Sequence, residues 1–320
     1  DAHGIAISSY QGGHTEYFKY MYDLLAERGA PHIRIYGGGG GVIIPKEIKE
    51  LHDYGIAWIF SPEDGRTLGL QGMINRMVED CDKAIDTKNA VEQLAQADTD
   101  HPQILAHLIS VAEDGVNNEN AEAKALVEKA REMSKGTPVL GITGTGGAGK
   151  SSLTDELIRR FLSELPDKKI AVISIDPTKQ KTGGALLGDR IRMNAIFNKR
   201  VFMRSLATRG SRTELSGAIG DVLDVVRVAG YDLIIVETSG IGQGDAEITN
   251  VADVSMYVMT SEFGAPSQLE KIDMIDYADL IVINKYERKG SEDAKNQVQK
   301  QYQRSRTLFD QDPSEMPVYG

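Results

Sequence analysis

Eight consecutive residues constrain this chain more than any other feature: Gly144-Thr145-Gly146-Gly147-Ala148-Gly149-Lys150-Ser151. An apolar run from Pro138 to Ile142 leads in, and a helix-like segment from Ser151 to Leu165 follows. Strand, glycine loop, helix is the order of a phosphate-binding P-loop. Its glycines let successive backbone N–H groups converge on phosphate oxygens, a lysine adds a point charge for the outer phosphates, and a serine hydroxyl can ligate Mg²⁺. Gly146, Gly147, Ala148, Gly149, Lys150 and Ser151 are therefore expected to hold the phosphates of a nucleoside triphosphate.

A chain of 320 residues is long enough for about two domains. Its net charge of −11 opposes non-specific binding to nucleic acid or to an anionic membrane, and neither is expected as a partner. The single Cys81 can form neither an intrachain disulfide nor a thiolate metal site, which fits a reducing compartment. No apolar run approaches the roughly 18 to 20 residues that span a bilayer, and no basic-then-apolar leader opens the chain, so a cytoplasmic location is expected. Asp1-Ala2-His3 runs straight into a strand without a starting Met, and Pro317-Val318-Tyr319-Gly320 stops where a linker is expected; both ends read as cut.

From residue 4 to about 82, short apolar strands alternate with amphipathic helices. Strands are expected at Gly4 to Ser9, His32 to Tyr36 and Ile56 to Phe60, and helices at Thr15 to Arg28, Pro45 to Tyr54 and Leu68 to Cys81. Repeated βα units with continuous apolar strands imply a parallel sheet, whose ligands bind beyond the carboxyl ends of the strands. Three loops stand there: Tyr10 to His14, the five glycines Gly37 to Gly41, and Ser61 to Gly65. A glycine run admits a bulky planar or phosphate-bearing ligand against the main chain; a flexible linker is its other reading. Residues 83 to 136 are polar, with helical periodicity in Gln103 to Val111 and Ala121 to Met133, and read as a helical hairpin joining two domains. From 137 to 320, strands at Val139 to Thr143, Ile170 to Ile175, Leu233 to Glu237, Val254 to Met259 and Leu280 to Asn284 recur with helices between them, the pattern of a nucleotide-hydrolase core.

Three carboxylates beyond the P-loop are candidates for Mg²⁺. Asp176 closes the strand Ile173-Ser174-Ile175, with an ordinary turn before Pro177 as the alternative. Asp189 and Arg192 lie in the glycine-bearing stretch Lys181 to Arg192, a segment that can order around a γ-phosphate, the Asp suiting metal and the Arg phosphate. Glu237 ends the run Leu233 to Val236 at the place of a Walker B acid, contacting Mg²⁺ directly or through water, and the Gly240 N–H is placed to sense a γ-phosphate. Asn284-Lys285-Tyr286-Glu287 ends another apolar strand with the shape of a guanine-specificity motif, Glu287 standing where Asp is usual. A carboxylate there accepts from the guanine N1–H and exocyclic amine, a donor pair that adenine does not present, so GTP and GDP are the expected nucleotides.

These motifs in this order, with Glu-Thr-Ser-Gly-Ile-Gly-Gln at 237 to 243, resemble the GTPase chaperones that attend methylmalonyl-CoA mutase, over roughly 137 to 320. The first region resembles the later half of the adenosylcobalamin-binding domain of acyl-CoA mutases. Ser8-Ser9-Tyr10 stands for its Ser-x-Leu element, with Tyr where Leu is usual, and Gly37 to Gly41 with Val42 and Pro45 stand for its Gly-Gly element. Both modules in one chain resemble the family of fused isobutyryl-CoA mutases, in which an acyl-CoA-binding barrel follows. The resemblance implies an α/β fold in three parts: a partial flavodoxin-like, Rossmann-type cobalamin-binding domain at 1–82, a helical linker at 83–136, and a P-loop GTPase domain with a mostly parallel sheet at 137–320. It further implies cobalamin contacts from Ser8, Tyr10, Gly12, Gly13, His14, Gly40 and Gly41, an ordinary polar loop histidine being the other reading of His14. His3 follows the sequence of a cobalt-ligand motif without its strand, loop and helix, and reads as a surface residue, the true ligand lying upstream. Thr260 to Lys271 corresponds to an extra switch segment that reports nucleotide state to the mutase.

The expected function is thus GTP hydrolysis that gates cofactor loading of an adenosylcobalamin-dependent mutase interconverting isobutyryl-CoA and n-butyryl-CoA. Lys150, Asp189 and Glu237 are its catalytic residues, and Ser151, Asp176, Asp189 and Glu237 its metal ligands. Implied partners are the acyl-CoA, held by the absent barrel, a second copy in a homodimer, and an adenosyltransferase that delivers cobalamin. The alternatives are a regulatory GTPase switch acting on a separate partner and a metal-insertion GTPase, the latter disfavoured by the lack of a Cys or His cluster.

Overall fold

A computed structural model of the chain describes residues 2–10, 12–118, 120–134, 136–176, 193–208, 217–238, 240, 245–264, 269 and 272–320. They fall into two compact units, Asp1–Asp86 and Thr87–Gly320.

In the first unit, strands β1 (Gly4–Ser8), β2 (Arg34–Gly38) and β3 (Trp58–Phe60) form a parallel sheet in that order. Helices α1 (His14–Glu27), α2 (Pro45–Tyr54), α3 (Pro62–Thr67) and α4 (Gly69–Cys81) alternate with and follow them. Phe18, Ile35, Ile43, Leu51, Ile56 and Ile59 make the core. Two expectations change here. Gly37 and Gly38 belong to β2 rather than to a loop, and Gly37 is needed for packing: a Cβ there would lie 2.4 Å from the Phe18 ring. The stretch read as a loop at Ser61 to Gly65 opens helix α3, because the Ser61 hydroxyl accepts from the Asp64 N–H while the Asp64 carboxylate accepts from the Ser61 N–H at 2.8 Å. That reciprocal cap, with Pro62 at the first helical position, is a start signal written in the sequence.

The second unit is built on seven strands: β4 (Val139–Gly144), β5 (Ile170–Asp176), β6 (Val201–Ala207), β7 (Leu233–Thr238), β8 (Val254–Met259), β9 (Leu280–Ile283) and β10 (Val318–Tyr319). Their order is β10-β9-β8-β4-β7-β5-β6, and every pair is parallel. Strands β6 and β10 extend the five expected from the sequence. Helix α8 (Lys150–Glu164) packs Ile158 and Leu162 on one sheet face with Ile142, Val172, Met203, Ile235 and Val258. The other described helices are α5 (Ala90–Leu94), α6 (Pro102–Asn118), α7 (Ala121–Met133), α9 (Ile219–Val228), α10 (Met274–Tyr277) and α11 (Ser291–Ser305).

The helical hairpin of 83–136 forms as α6 and α7, but it is no linker between domains. Both helices pack on α9 within the second unit, burying Leu105, Leu108, Ile109, Val111, Leu126 and Ala130. They cross closely enough that a Cβ on Gly115 would lie 2.6 Å from that of Ala123. Polar ties reinforce the contact: Arg131 pairs with Asp221 and Asp224 of α9, and Arg204 of β6 meets Glu113 at 3.3 Å and donates to the Ser110 hydroxyl at 2.9 Å. A polar composition masked an apolar stripe that needed a partner. Among the described residues, no helix is long and apolar enough to cross a membrane.

Candidate functional site

The chain runs from β4 through α8 to β5, on one side of β4, whereas β8 pairs with β4 on the other side. Such a reversal opens a crevice at the carboxyl end of the central strand, where open α/β sheets bind ligands. The glycine loop sits there. Gly144 lies flush against β8, since a Cβ on it would stand 1.9 Å from the Val258 carbonyl oxygen, and the Thr145 N–H donates to that oxygen at 3.1 Å. Gly147 and Gly149 take the left-handed conformation, φ 76° and 89°, which side chains rarely adopt. Gly149 caps α8, so Lys150 and Ser151 begin the helix and its amino-terminal N–H groups face the loop.

Among the described residues, the side chains expected at the site come together as follows. Lys150 is buried, and its ammonium donates to the carbonyls of Gly144 at 2.9 Å and Thr145 at 3.2 Å. The Ser151 hydroxyl donates to Glu237 Oε1 at 2.7 Å. Glu237 and Asp176, both buried, end neighbouring strands. The register Ser174↔Glu237 puts them on one sheet face, with Asp176 one pleat further along. Ser151, Glu237 and Asp176 thus offer hard oxygen donors at the mouth of the P-loop, a donor set that fits Mg²⁺. Asp189 and Arg192 lie outside the described residues.

The loop after β9 closes over the P-loop from the other side. Asn284 Nδ2 donates to the Ala148 carbonyl at 2.7 Å, and Lys285 Nζ donates to the Gly147 carbonyl at 2.7 Å. Lys285 has φ 57°, a left-handed turn that sends the following residues away from the strand. Tyr286 rests against Gly320, and Glu287 is exposed beyond it. Next to this loop, the Glu262 carboxylate accepts from the Thr260 hydroxyl and from Arg288 Nη1 at 2.8 Å. Those bonds, the threonine's first, hold its pKa below the usual carboxylate range. This link was not foreseen from the sequence, nor was a buried hydroxyl contact between Thr143 and Thr238 at 2.8 Å. Neither has a motif; both are visible only once the strands are paired.

In the first unit, Ser8, Tyr10, Gly12, Gly13, Gly40 and Gly41 gather at the carboxyl ends of β1 and β2. Gly39 is pressed on the chain after β1, where a Cβ would meet the Ser9 carbonyl oxygen at 2.1 Å. Gly40 and Gly41 have positive φ, and the exposed Tyr10 ring lies 3.1 Å from where a Gly40 Cβ would stand. This main-chain shelf beside an aromatic ring suits a broad planar ligand. His14 departs from expectation: it is the first residue of α1, not a loop residue, and its Nε2 is 3.0 Å from Glu47 Oε2. Glu47 also accepts from the Ile44 N–H at 3.0 Å, and these two bonds, the backbone one first, keep its carboxyl ionised at lower pH than usual. His14 is 8% exposed, leaving only its edge available to a ligand.

Comparison with known proteins bears on both units. Residues 105–316 match the family model described as methylmalonyl-CoA mutase-associated GTPase MeaB, a span that opens inside α6 and so takes in the helical hairpin. The whole chain is 72% identical to a fused isobutyryl-CoA mutase of Geobacillus kaustophilus and 57% identical to one of Cupriavidus metallidurans. It spans 30% and 29% of the lengths of those proteins. A crystal structure of a LAO/AO transport system kinase superposes with a TM-score of 0.52 at 24% identity, covering 74% of this chain and 70% of that one, which is a likeness of fold.

Proposed function

The chain belongs to the methylmalonyl-CoA mutase-associated GTPases of the MeaB family, and from that premise we propose that it hydrolyses GTP at the carboxyl end of β4 to control cofactor loading of an acyl-CoA mutase. The observation that carries the reading is the pair of bonds from Asn284 and Lys285 to the Ala148 and Gly147 carbonyls. They make one body of the loop that meets the phosphates and the loop that meets the base.

The division of labour follows from the positions. The amides from Gly146 to Ser151 and the helix end behind them attract the phosphates, and Lys150 neutralises charge on the outer ones. Ser151, Glu237 and Asp176 would hold Mg²⁺, which offsets charge on the β- and γ-oxygens; Asp189 is assigned to the same group and Arg192 to phosphate on sequence grounds. The Gly240 N–H faces the γ-phosphate. Glu287 accepts from the guanine edge while Asn284, Lys285 and Tyr286 shape the base pocket.

For the first unit, the reading is an adenosylcobalamin-binding module, with Ser8, Tyr10, Gly12, Gly13, Gly40 and Gly41 lining the cofactor and His14 touching it by its exposed edge. It is supported by the match of the whole chain to about a third of the length of proteins named fused isobutyryl-CoA mutase. When bound, that cofactor supplies radical chemistry; this chain's residues supply a shelf for it and shield it from water. Interconversion of isobutyryl-CoA and n-butyryl-CoA, with the acyl-CoA held elsewhere, is proposed for a larger protein of which this chain is part. A homodimer and a cobalamin-delivering adenosyltransferase are its proposed partners.

Replacing Lys150 tests the reading. Lys150→Ala is expected to abolish GTP turnover, measured by phosphate release, while far-ultraviolet circular dichroism and the thermal melt stay close to those of the parent. Normal turnover in a folded Lys150→Ala chain would sink the assignment.

A further inference from the structure

Thr143 and Thr238 occupy the last turns of pleat in β4 and β7 before each strand gives way to its loop. The register Ile142↔Glu237 sets them side by side, both are fully enclosed, and the Thr238 hydroxyl donates to Thr143 Oγ1 at 2.8 Å. Alternation along each strand sends these two side chains to the sheet face opposite Glu237 and Ser151. The pair therefore stands outside the proposed contacts to phosphate and Mg²⁺.

What lies one and two residues further on gives the pair its interest. The Gly144 carbonyl, next after Thr143, accepts from the Lys150 ammonium at 2.9 Å. Gly240, two residues after Thr238, has φ 68° and is packed on that same carbonyl. A Cβ on Gly240 would fall 1.7 Å from Gly144 O and 2.6 Å from Lys150 Nζ. The root of the P-loop, its lysine and Gly240 thus meet at one point. The two hydroxyls are a directional cross-strand tie immediately behind it. Apolar contact in their place would be non-directional, leaving only the backbone pairing to hold the two strand ends.

We infer that Thr143 and Thr238 are positioning residues for GTP hydrolysis, their hydroxyl bond fixing Gly240 at the spacing from Lys150 that recognition of the γ-phosphate requires. The inference rests on the GTPase reading above. It separates nucleotides by chemistry: GDP, which lacks the γ-phosphate, binds independently of the tie, whereas a triphosphate and its hydrolysis depend on it.

The test uses Thr238→Val, Thr143→Val, the double variant and Thr238→Ser. Valine keeps the shape and removes the hydroxyl; serine keeps the hydroxyl. Steady-state kcat and KM for GTP are measured with dissociation constants for the fluorescent mant derivatives of GDP and of the non-hydrolysable analogue GMPPNP, after a thermal melt selects folded variants. Each valine variant is expected to lose about tenfold in kcat and to weaken mant-GMPPNP, with mant-GDP within about twofold of the parent. The double variant should lose no more than either single one, and Thr238→Ser should stand close to the parent. Turnover within twofold of the parent in the folded valine variants, equal weakening of both nucleotides, or losses that multiply in the double variant would each overturn the inference. Should Thr238→Val fail to fold, Thr143→Val and Thr238→Ser decide it by the same criteria. A parent chain without GTP turnover removes the GTPase reading and this inference with it; an active parent matched by its variants removes the inference alone.

Discussion

Leu126 lies in α7, in the stretch whose polar composition suggests a linker, and it is fully buried. Truncation to alanine removes about three methylene-sized groups, worth about 2.4 kcal/mol at roughly 0.8 kcal/mol each. The cavity left between α6, α7 and α9 adds to this, so Leu126→Ala is expected to cost about 3 to 4 kcal/mol. For a unit of this size, 1 kcal/mol corresponds to about 2 to 4 °C, which puts the drop in Tm at roughly 6 to 16 °C. Two probes separate the units. Trp58, the sole tryptophan of the chain, stands in the first unit between Arg76 and His52, so its fluorescence follows that unit. Release of mant-GDP follows the second. Leu126→Ala should lower the midpoint of nucleotide release and leave the Trp58 transition in place. A loss below about 1 kcal/mol, or a shift of the Trp58 transition alone, would refute the placement of the hairpin in the GTPase core and return it to a linker.

Two further outcomes follow from charge placement. Glu113→Met removes the carboxylate 3.3 Å from the mostly buried Arg204 guanidinium and is expected to cost about 1 to 3 kcal/mol in urea denaturation, part of it recovered by adding Arg204→Met; a double variant as unstable as the sum of its single ones refutes this. Hydrogen bonds from Arg159 and then Arg160 hold the Glu156 pKa at about 2, below the roughly 4.3 of an unfolded chain, so whatever this carboxylate contributes is present above about pH 4 and fades as pH falls toward 2. Carbon-13 NMR of the folded chain should find Glu156 still ionised at pH 3.5, and a midpoint near 4 would contradict the geometry.

Much of the site could be read in the sequence because its parts are local. Gly144 to Ser151 is one loop with one neighbour on each side, and Asn284 to Glu287 is a strand end; each is complete within eight residues. What escaped was whatever depends on a partner distant in sequence. Strand β6, Val201 to Ala207, interrupts its apolar run with Arg204 and Ser205, and the reason for the arginine lies about 90 residues upstream, in Ser110 and Glu113. Strand β10 has two residues and exists through its pairing with β9. His14 is polar and follows two glycines, which reads as loop; burial against Glu47, 33 residues on, makes it the start of a helix. Gly37 illustrates the same limit, since a glycine that makes room for Phe18 cannot be told by composition from one that bends the chain.

The two ends of the second sheet are built on opposite principles, and the site depends on the contrast. At the amino-terminal end, aspartates just before three strands each tie down a neighbour: Asp253 accepts from the Val139 N–H at 2.7 Å, Asp232 from Lys169 at 2.8 Å, and Asp279 from Ser255 at 2.8 Å. Charge-assisted bonds to strand-leading amides fix register there. At the carboxyl end, glycines stand where side chains would collide, at Gly144 against Val258 and at Gly240 against Gly144. The loops at this end are tied to one another instead, Asn284 and Lys285 donating to the Ala148 and Gly147 carbonyls. Register imposed from the far end is carried to the last strand residues by Thr143 and Thr238, directly behind the point where Gly144, Lys150 and Gly240 meet.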